Sequence, residues 1–352
     1  MLFSSSFFWL ADTWWYGMTS RCSFEDFKIL VDDRKKKGFT VIQTVVGVPP
    51  EVDIYSPHAE NSGGLPFVQH HSSPPRFWSS QNDKVELNLK YFDEVDRKIK
   101  YLVDAGLVPC IFGGWGHHID ILGVPAIKRL WKEIVKRYAH FPVVFCLCGE
   151  ADTFPLILGM KEKILKKILS FTPIGFIELV KKVKKSVVKQ KITKLEERVK
   201  KWNEVARYIK SIDSYHRLLT VHIQSRMTAS QLFHNPRWLD IDSIQSGHSK
   251  ESLDFMKTAI EEGSGKGRPI INLEPWYEGI LGNFGPEDQI LAFETCMKAG
   301  AAGHSYGAHG VWQMATEKDN FIGHWGKSDW KKAMNFEGAR QICLAKKKLE
   351  TS

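Results

Sequence analysis

Two apolar stretches, 143–150 (Val-Val-Phe-Cys-Leu-Cys-Gly-Glu) and 270–276 (Ile-Ile-Asn-Leu-Glu-Pro-Trp), carry glutamates at their far ends, Glu150 and Glu274, 124 residues apart. An apolar run of this length reads as a strand covered on both faces, so its final residue is the first to reach a solvent-filled crevice. A charge there is costly to place, and function is a reason to place it. Two carboxylates facing one crevice are the minimum equipment for breaking a glycosidic bond. At a separation of about 5–5.5 Å the chemistry would be retaining, with a covalent sugar ester; at about 6.5–9.5 Å a water would fit between them and invert. A structural ion pair with Lys or Arg is the other reading of each glutamate. Asp152 and Glu278 are the nearest rivals, and Glu278, on a loop, reads as a solvated carboxylate.

The remaining chain must bring the two strand ends together. Strand-like runs at 7–12, 40–46, 108–112, 143–147, 218–223, 241–245, 270–273 and 303–307 alternate with helix-like segments at 23–37, 89–105, 125–138, 202–212, 250–262 and 287–298. Ser23 reads as a helix N-cap and Gly106 as a helix stop. Eight strands alternating with helices predict an α/β fold, a (β/α)8 TIM barrel in one catalytic domain over 1–352. Strands four and seven then face each other across the mouth. A doubly wound sheet is the alternative, but neither a G-x-G-x-x-G turn nor a phosphate-binding loop follows an early strand.

Polar and aromatic residues gather where such a barrel places its active site. Asp12, Trp14, Trp115, His117, His222, Gln245, His248, Trp276, Tyr306, His309 and Trp312 are the candidate substrate-binding residues. Neutral imidazoles both donate and accept, which suits sugar hydroxyls, and indole faces can stack on sugar rings. For Asp12, a helix cap or a buried ion pair is an equal reading, and core packing is the alternative for each aromatic. No zinc-type His and Cys spacing supports a metal, and no cofactor is expected.

Seven stretches in strand-end positions are together similar to the apiosidase-like barrel family of glycoside hydrolases. They are 8–15 (Phe-Trp-Leu-Ala-Asp-Thr-Trp-Trp), 38–43 (Gly-Phe-Thr-Val-Ile-Gln), 148–150 (Cys-Gly-Glu), 219–222 (Leu-Thr-Val-His), 245–248 (Gln-Ser-Gly-His), 271–278 (Ile-Asn-Leu-Glu-Pro-Trp-Tyr-Glu) and 306–313 (Tyr-Gly-Ala-His-Gly-Val-Trp-Gln). The resemblance covers about residues 7–335. It implies a retaining glycosidase, with Glu150 as acid/base and Glu274 as nucleophile, acting on a carbohydrate such as a furanoside of apiose or arabinose. Members can carry Asp in place of Glu150, and the β-sandwich that often follows the barrel is not expected here. A barrel that binds carbohydrate or scaffolds a complex without catalysis is the competing class.

The net charge of +9 belongs to one segment: 155–201 holds 14 Lys and Arg against 4 Asp and Glu, leaving the rest near neutrality. Apolar residues at helical spacing between the lysines predict a helical, Lys-rich insertion over 155–200 after strand four. It would cover the mouth, join subunits in a homo-oligomer or lie on an anionic membrane surface; nucleic acid is not expected. Six scattered cysteines read as buried thiols. The N-terminal stretch lacks a basic leader and no run of about 18 apolar residues occurs, so a cytoplasmic protein is expected.

Overall fold

The computed structural model describes residues 7–69, 85–153, 177–319 and 321–351. Its centre is a ring of parallel strands: β1 (Trp9–Trp14), β2 (Val41–Val45), β3 (Val108–Phe112), β4 (Val144–Cys146), β5 (Leu219–Thr220), β6 (Asp242–Gln245), β7 (Ile270–Glu274) and β8 (Gly303–Tyr306). Each pairs with its sequence neighbour except β5 with β6, and β8 pairs with β1. Between β5 and β6 the ring closes without a ladder: Asp240 N–H donates to Leu219 O, Thr220 Oγ1 to Ile241 O at 2.9 Å, and Ser243 Oγ to Val221 O. Parallel strands buried on both faces read as continuous apolar runs, which is why they stood out in the sequence.

The connecting helices follow their local signals. In α1 (Phe24–Lys37) the Ser23 side chain accepts from Asp26 N–H at 3.1 Å, acidic residues open the helix, and Gly38 closes it in the left-handed region at φ 109°. That arrangement satisfies orphan backbone groups and matches the helix dipole at both ends. After α2 (Tyr91–Asp104), Gly106 N–H turns back to Val103 O at φ 80°. Helix α3 (His118–Tyr138) begins seven residues before the expected start, with non-helical backbone at Gly123.

Two features differ from expectation. The loop expected over 49–81 contains a strand, Phe67–Gln69, paired antiparallel with Val85–Leu87 across residues outside the description. The helix expected at 202–212 begins at Ile177, so α4 (Ile177–Ile212) carries the second part of the Lys-rich segment as one continuous helix of 36 residues. At 1.5 Å per residue it is about 54 Å long. Residues 154–176, and with them the first part of the expected insertion, lie outside the described residues. The C-terminal half of α4 is docked on α3 and the turn before it: Arg198 pairs with Asp120 at 2.6 Å and Trp202 Nε1 donates to Gly116 O at 3.0 Å.

Beneath the barrel mouth sits a buried ion pair. Arg34 Nε donates to Asp12 Oδ2 at 2.5 Å, both side chains 0% exposed, and Trp14 Nε1 donates to the same oxygen at 2.7 Å. Of the two equal readings of Asp12, sugar binding and a buried ion pair, the structure shows the second: Oδ2 is taken by α1 and by the indole of its own strand, and Oδ1 accepts from Thr13 N–H at 2.9 Å. Removing one partner of such a pair strands the other's charge in the core. Asp12→Asn is therefore expected to destabilise the protein by about 3 kcal/mol in urea unfolding, with KM of the remaining folded enzyme unchanged. A raised KM at unchanged stability would return Asp12 to the substrate.

Candidate active site

Glu274 closes β7, whereas Glu150 sits four residues beyond β4, on a turn rather than at a strand tip. The turn is made by close approach of two loops. Gly116 N–H donates to Gly149 O at 2.6 Å and Gly149 N–H to Gly114 O at 2.9 Å. A Cβ on Gly116 would lie 2.3 Å from Glu150 O, so only glycine permits the contact. Glu150 itself is held at φ 43°, a conformation that costs a non-glycine residue about 1–3 kcal/mol and recurs at functional sites. A register shift at Ile244 and Gln245 sets Gln245 opposite Glu274 instead of Leu273. Bulges beside active sites re-aim side chains in this way.

That re-aimed amide joins the two carboxylates. Gln245 Nε2 donates to Glu274 Oε1 at 2.9 Å and to Glu150 Oε1 at 3.2 Å. A shared nitrogen caps the separation of those two oxygens at the sum of its two distances, about 6.1 Å.

The surroundings of the pair are unequal. His222 Nδ1 accepts from Glu150 N–H at 3.1 Å, and His248 Nδ1 accepts from Tyr277 N–H at 3.3 Å. A neutral ring that accepts at Nδ1 carries its proton on Nε2. Both Nε2 atoms face Glu274, His248 at 3.3 Å from Oε1 and His222 at 3.4 Å from Oε2, the latter off the line of a good hydrogen bond. Burial alone would push the Glu274 carboxyl up, but the hydrogen bonds offered by His222 and His248 outweigh it and hold the group well below the usual carboxylate range. Glu150 accepts at Oε2 from Thr153 Oγ1 at 2.8 Å and from Trp115 Nε1 at 3.2 Å. Burial first, and the negative charge of Glu274 second, push its carboxyl up. One carboxyl is poised as an anion and the other to carry a proton, the division of labour that acid/base chemistry needs.

Of the expected binding residues, Trp115, His222, Gln245 and His248 gather around the pair. Trp312 stands one ring further out, 6.2 Å from Tyr277, and His309 braces it by accepting from its Nε1 at 3.3 Å. Five residues belong elsewhere. Asp12 and Trp14 form the buried network with Arg34. Trp276, expected as a sugar wall, stacks on Phe284 at 5.1 Å and donates to Ser252 Oγ at 2.9 Å. Tyr306 was placed in the same wall, but its hydroxyl donates to Glu278 at 2.5 Å. Glu278 is in turn only 4% exposed and accepts from Gly338 N–H at 3.0 Å, so it is a buried brace and not a solvated carboxylate. His117 packs its ring against His118 at 4.4 Å; burial, then Arg198, push it down to about 4.

Tyr277, expected as part of an aromatic wall, hydrogen-bonds Glu274 and accepts from Trp15 Nε1 at 3.1 Å. Gln224 was not foreseen; its Nε2 reaches Glu150 Oε1 at 3.4 Å. Tyr277 follows Glu274 by three residues in a motif already singled out, which is a usable signal. Gln224 and Thr153 stand in polar loop stretches with none. Among the described residues no group of three or more His, Cys, Asp or Glu is arranged to hold a metal ion, and all six cysteines are buried and free.

A model of the family described as "Apiosidase-like, catalytic domain" matches residues 4–352. The fold is similar to that of a solved glycoside hydrolase at 21% identity and TM-score 0.68, covering 98% of this chain and 71% of that one. It is also similar to a glycoside hydrolase family 5 protein from Bacteroides vulgatus ATCC 8482, at 20% identity and TM-score 0.65 over 97% of this chain and 67% of that one. An endo-1,4-beta-mannanase from Rhizomucor miehei matches at 14% identity and TM-score 0.57 over 96% and 95%. No curated protein sequence matches.

Proposed function

The chain belongs to the apiosidase-like catalytic-domain family and is a glycosidase; we propose that it cleaves its substrate with retention, through Glu274 as nucleophile and Glu150 as acid/base. The observation that carries this reading is the single amide nitrogen of Gln245 bonded to two carboxyls that are pushed in opposite directions. One amide nitrogen reaching an oxygen of each keeps the two carboxyls close together, which supports a retaining pair over one spread apart around a water.

In the first step a Glu274 oxygen attacks the anomeric carbon while Glu150 gives its proton to the departing glycosidic oxygen, so one C–O bond forms as another breaks. The aglycone leaves as a neutral alcohol. In the second, Glu150 takes a proton from water, the water oxygen attacks the same carbon, and Glu274 departs as carboxylate. Gln245, His222, His248 and Tyr277 hold Glu274 in place for attack, and Thr153, Gln224 and Trp115 orient Glu150. The substrate proposed is a furanoside such as an apioside or an arabinoside, the class to which the family's name points.

Two inversions leave the anomeric configuration unchanged, and methanol competing with water in the second step would record it permanently. Aryl furanosides turned over in methanol and water are expected to yield a methyl glycoside of the starting anomer by proton NMR. The opposite anomer would overturn the retaining assignment.

A further inference from the structure

The loop after β8 places one partly exposed indole against a histidine that faces Glu274. Trp325 lies with its ring 6.1 Å from that of His248, in edge-on contact, and His248 Nε2 is the group 3.3 Å from Glu274 Oε1. The position is built. Trp325 Nε1 donates to Glu51 Oε1 at 3.0 Å, and the other oxygen of Glu51 holds His324 Nε2 at 3.1 Å. Glu51, on the loop after β2, is itself in the left-handed region at φ 64°. Ile322, at φ 55°, and Gly326, at φ 104°, bend the chain on either side of the indole. His309 then ties the bend down, its Nε2 donating to Gly326 O at 2.8 Å. A β-branched residue in that region is strained, so the bend is imposed by its bracing and not chosen by Ile322.

We propose that Trp325 is the stacking platform of the glycone subsite, the surface that selects which sugar ring is presented to Glu274. This rests on the glycosidase reading and goes further, because it divides the mouth into two sides. The leaving group extends past the acid, whose partners Trp115, Thr153 and Gln224 come from the loops after β3, β4 and β5. The ring to be transferred lies over the nucleophile, on the side of His248 and Trp325. An indole face makes close contact with the C–H face of a sugar ring, and holding its N–H in a bond to Glu51 fixes the plane it presents. Sugars with an uninterrupted C–H face are the ligands this surface takes.

Binding can be read without turnover. Glu274→Gln protein, with and without Trp325→Ala, is titrated calorimetrically with free apiose, arabinose and mannose. Loss of the indole is expected to weaken the best-bound sugar about tenfold, while Trp325→Phe retains most of the affinity. Circular dichroism and thermal melting check that each variant is folded. In the otherwise wild-type enzyme, Trp325→Ala is expected to lower kcat/KM by the same factor for aryl glycosides sharing one sugar but differing in the aryl group. Unchanged sugar affinity in a folded Trp325→Ala protein, or a loss that varies with the aryl group, would overturn the platform while leaving the glycosidase reading intact. A parent protein that binds none of a wide sugar panel and cleaves none of its aryl glycosides would overturn both.

Discussion

Glu274→Gln is expected to reduce turnover of any cleavable aryl glycoside by at least about 10⁴-fold, because in the proposed mechanism it removes the atom that forms the covalent intermediate. The amide fills the same space and can accept at oxygen from either histidine, so folding is expected to persist and a melting curve checks it. A more specific outcome separates loss of a nucleophile from general damage. Glu274→Ala leaves a small hole facing Gln245 Nε2, His222 Nε2 and His248 Nε2, donors that now hold a carboxylate. Added azide, a small anion, should enter that hole, attack from the vacated face and restore turnover. With only one displacement, the glycosyl azide formed would have inverted configuration. Failure of azide to rescue a folded Glu274→Ala protein, or a retained product, would place the nucleophile elsewhere.

The sequence made the barrel legible because its strands are apolar on both faces and its helices carry their own caps, as at Ser23 and Gly38. Glu274 was legible for the same reason, as a charge at the end of such a strand. Partnerships across the fold were not. Asp12 at the end of an apolar run looks the same whether its partner is a sugar or Arg34, and Arg34, in the last turn of α1, reads as an ordinary surface cation favoured by the helix dipole. It is instead fully buried. Tyr306 and Glu278 illustrate the same ambiguity: each was plausible alone at the mouth, and their mutual hydrogen bond takes both away from it. Glu150 was found for a partly mistaken reason, since the glycine turn and left-handed backbone aim it, not the strand. Trp325 gave no signal because it lies in no apolar strand-end run and its bracing comes from Glu51 and His309, distant along the chain.

Glu150→Gln is expected to have an effect that depends on the leaving group. An alkyl alcohol departs poorly as an anion, so without an acid its release should slow by about 10³–10⁴-fold. A dinitrophenolate needs almost no protonation, so formation of the sugar ester should continue nearly unimpaired. Its hydrolysis, however, loses the base that activates water. The ester should then accumulate, giving a burst of dinitrophenol and a fall in both kcat and KM. The pH profile adds an independent reading with a definite sign. Glu274 is held low and must be ionised, so activity should fail on the acid side only well below the ordinary glutamate range. Glu150 is raised and must be protonated, so kcat/KM should decline as pH rises through a value above the ordinary glutamate pKa of about 4.3. For substrates whose leaving group needs protonation, that basic limb should vanish from the residual activity of Glu150→Gln; its persistence would assign the acid to another group. In the proposed mechanism the same electrostatics let one residue serve both steps. Burial and the charge of Glu274 both raise Glu150, and esterification of Glu274 removes that charge. Glu150 then gives up its proton more readily at the moment when a base is required.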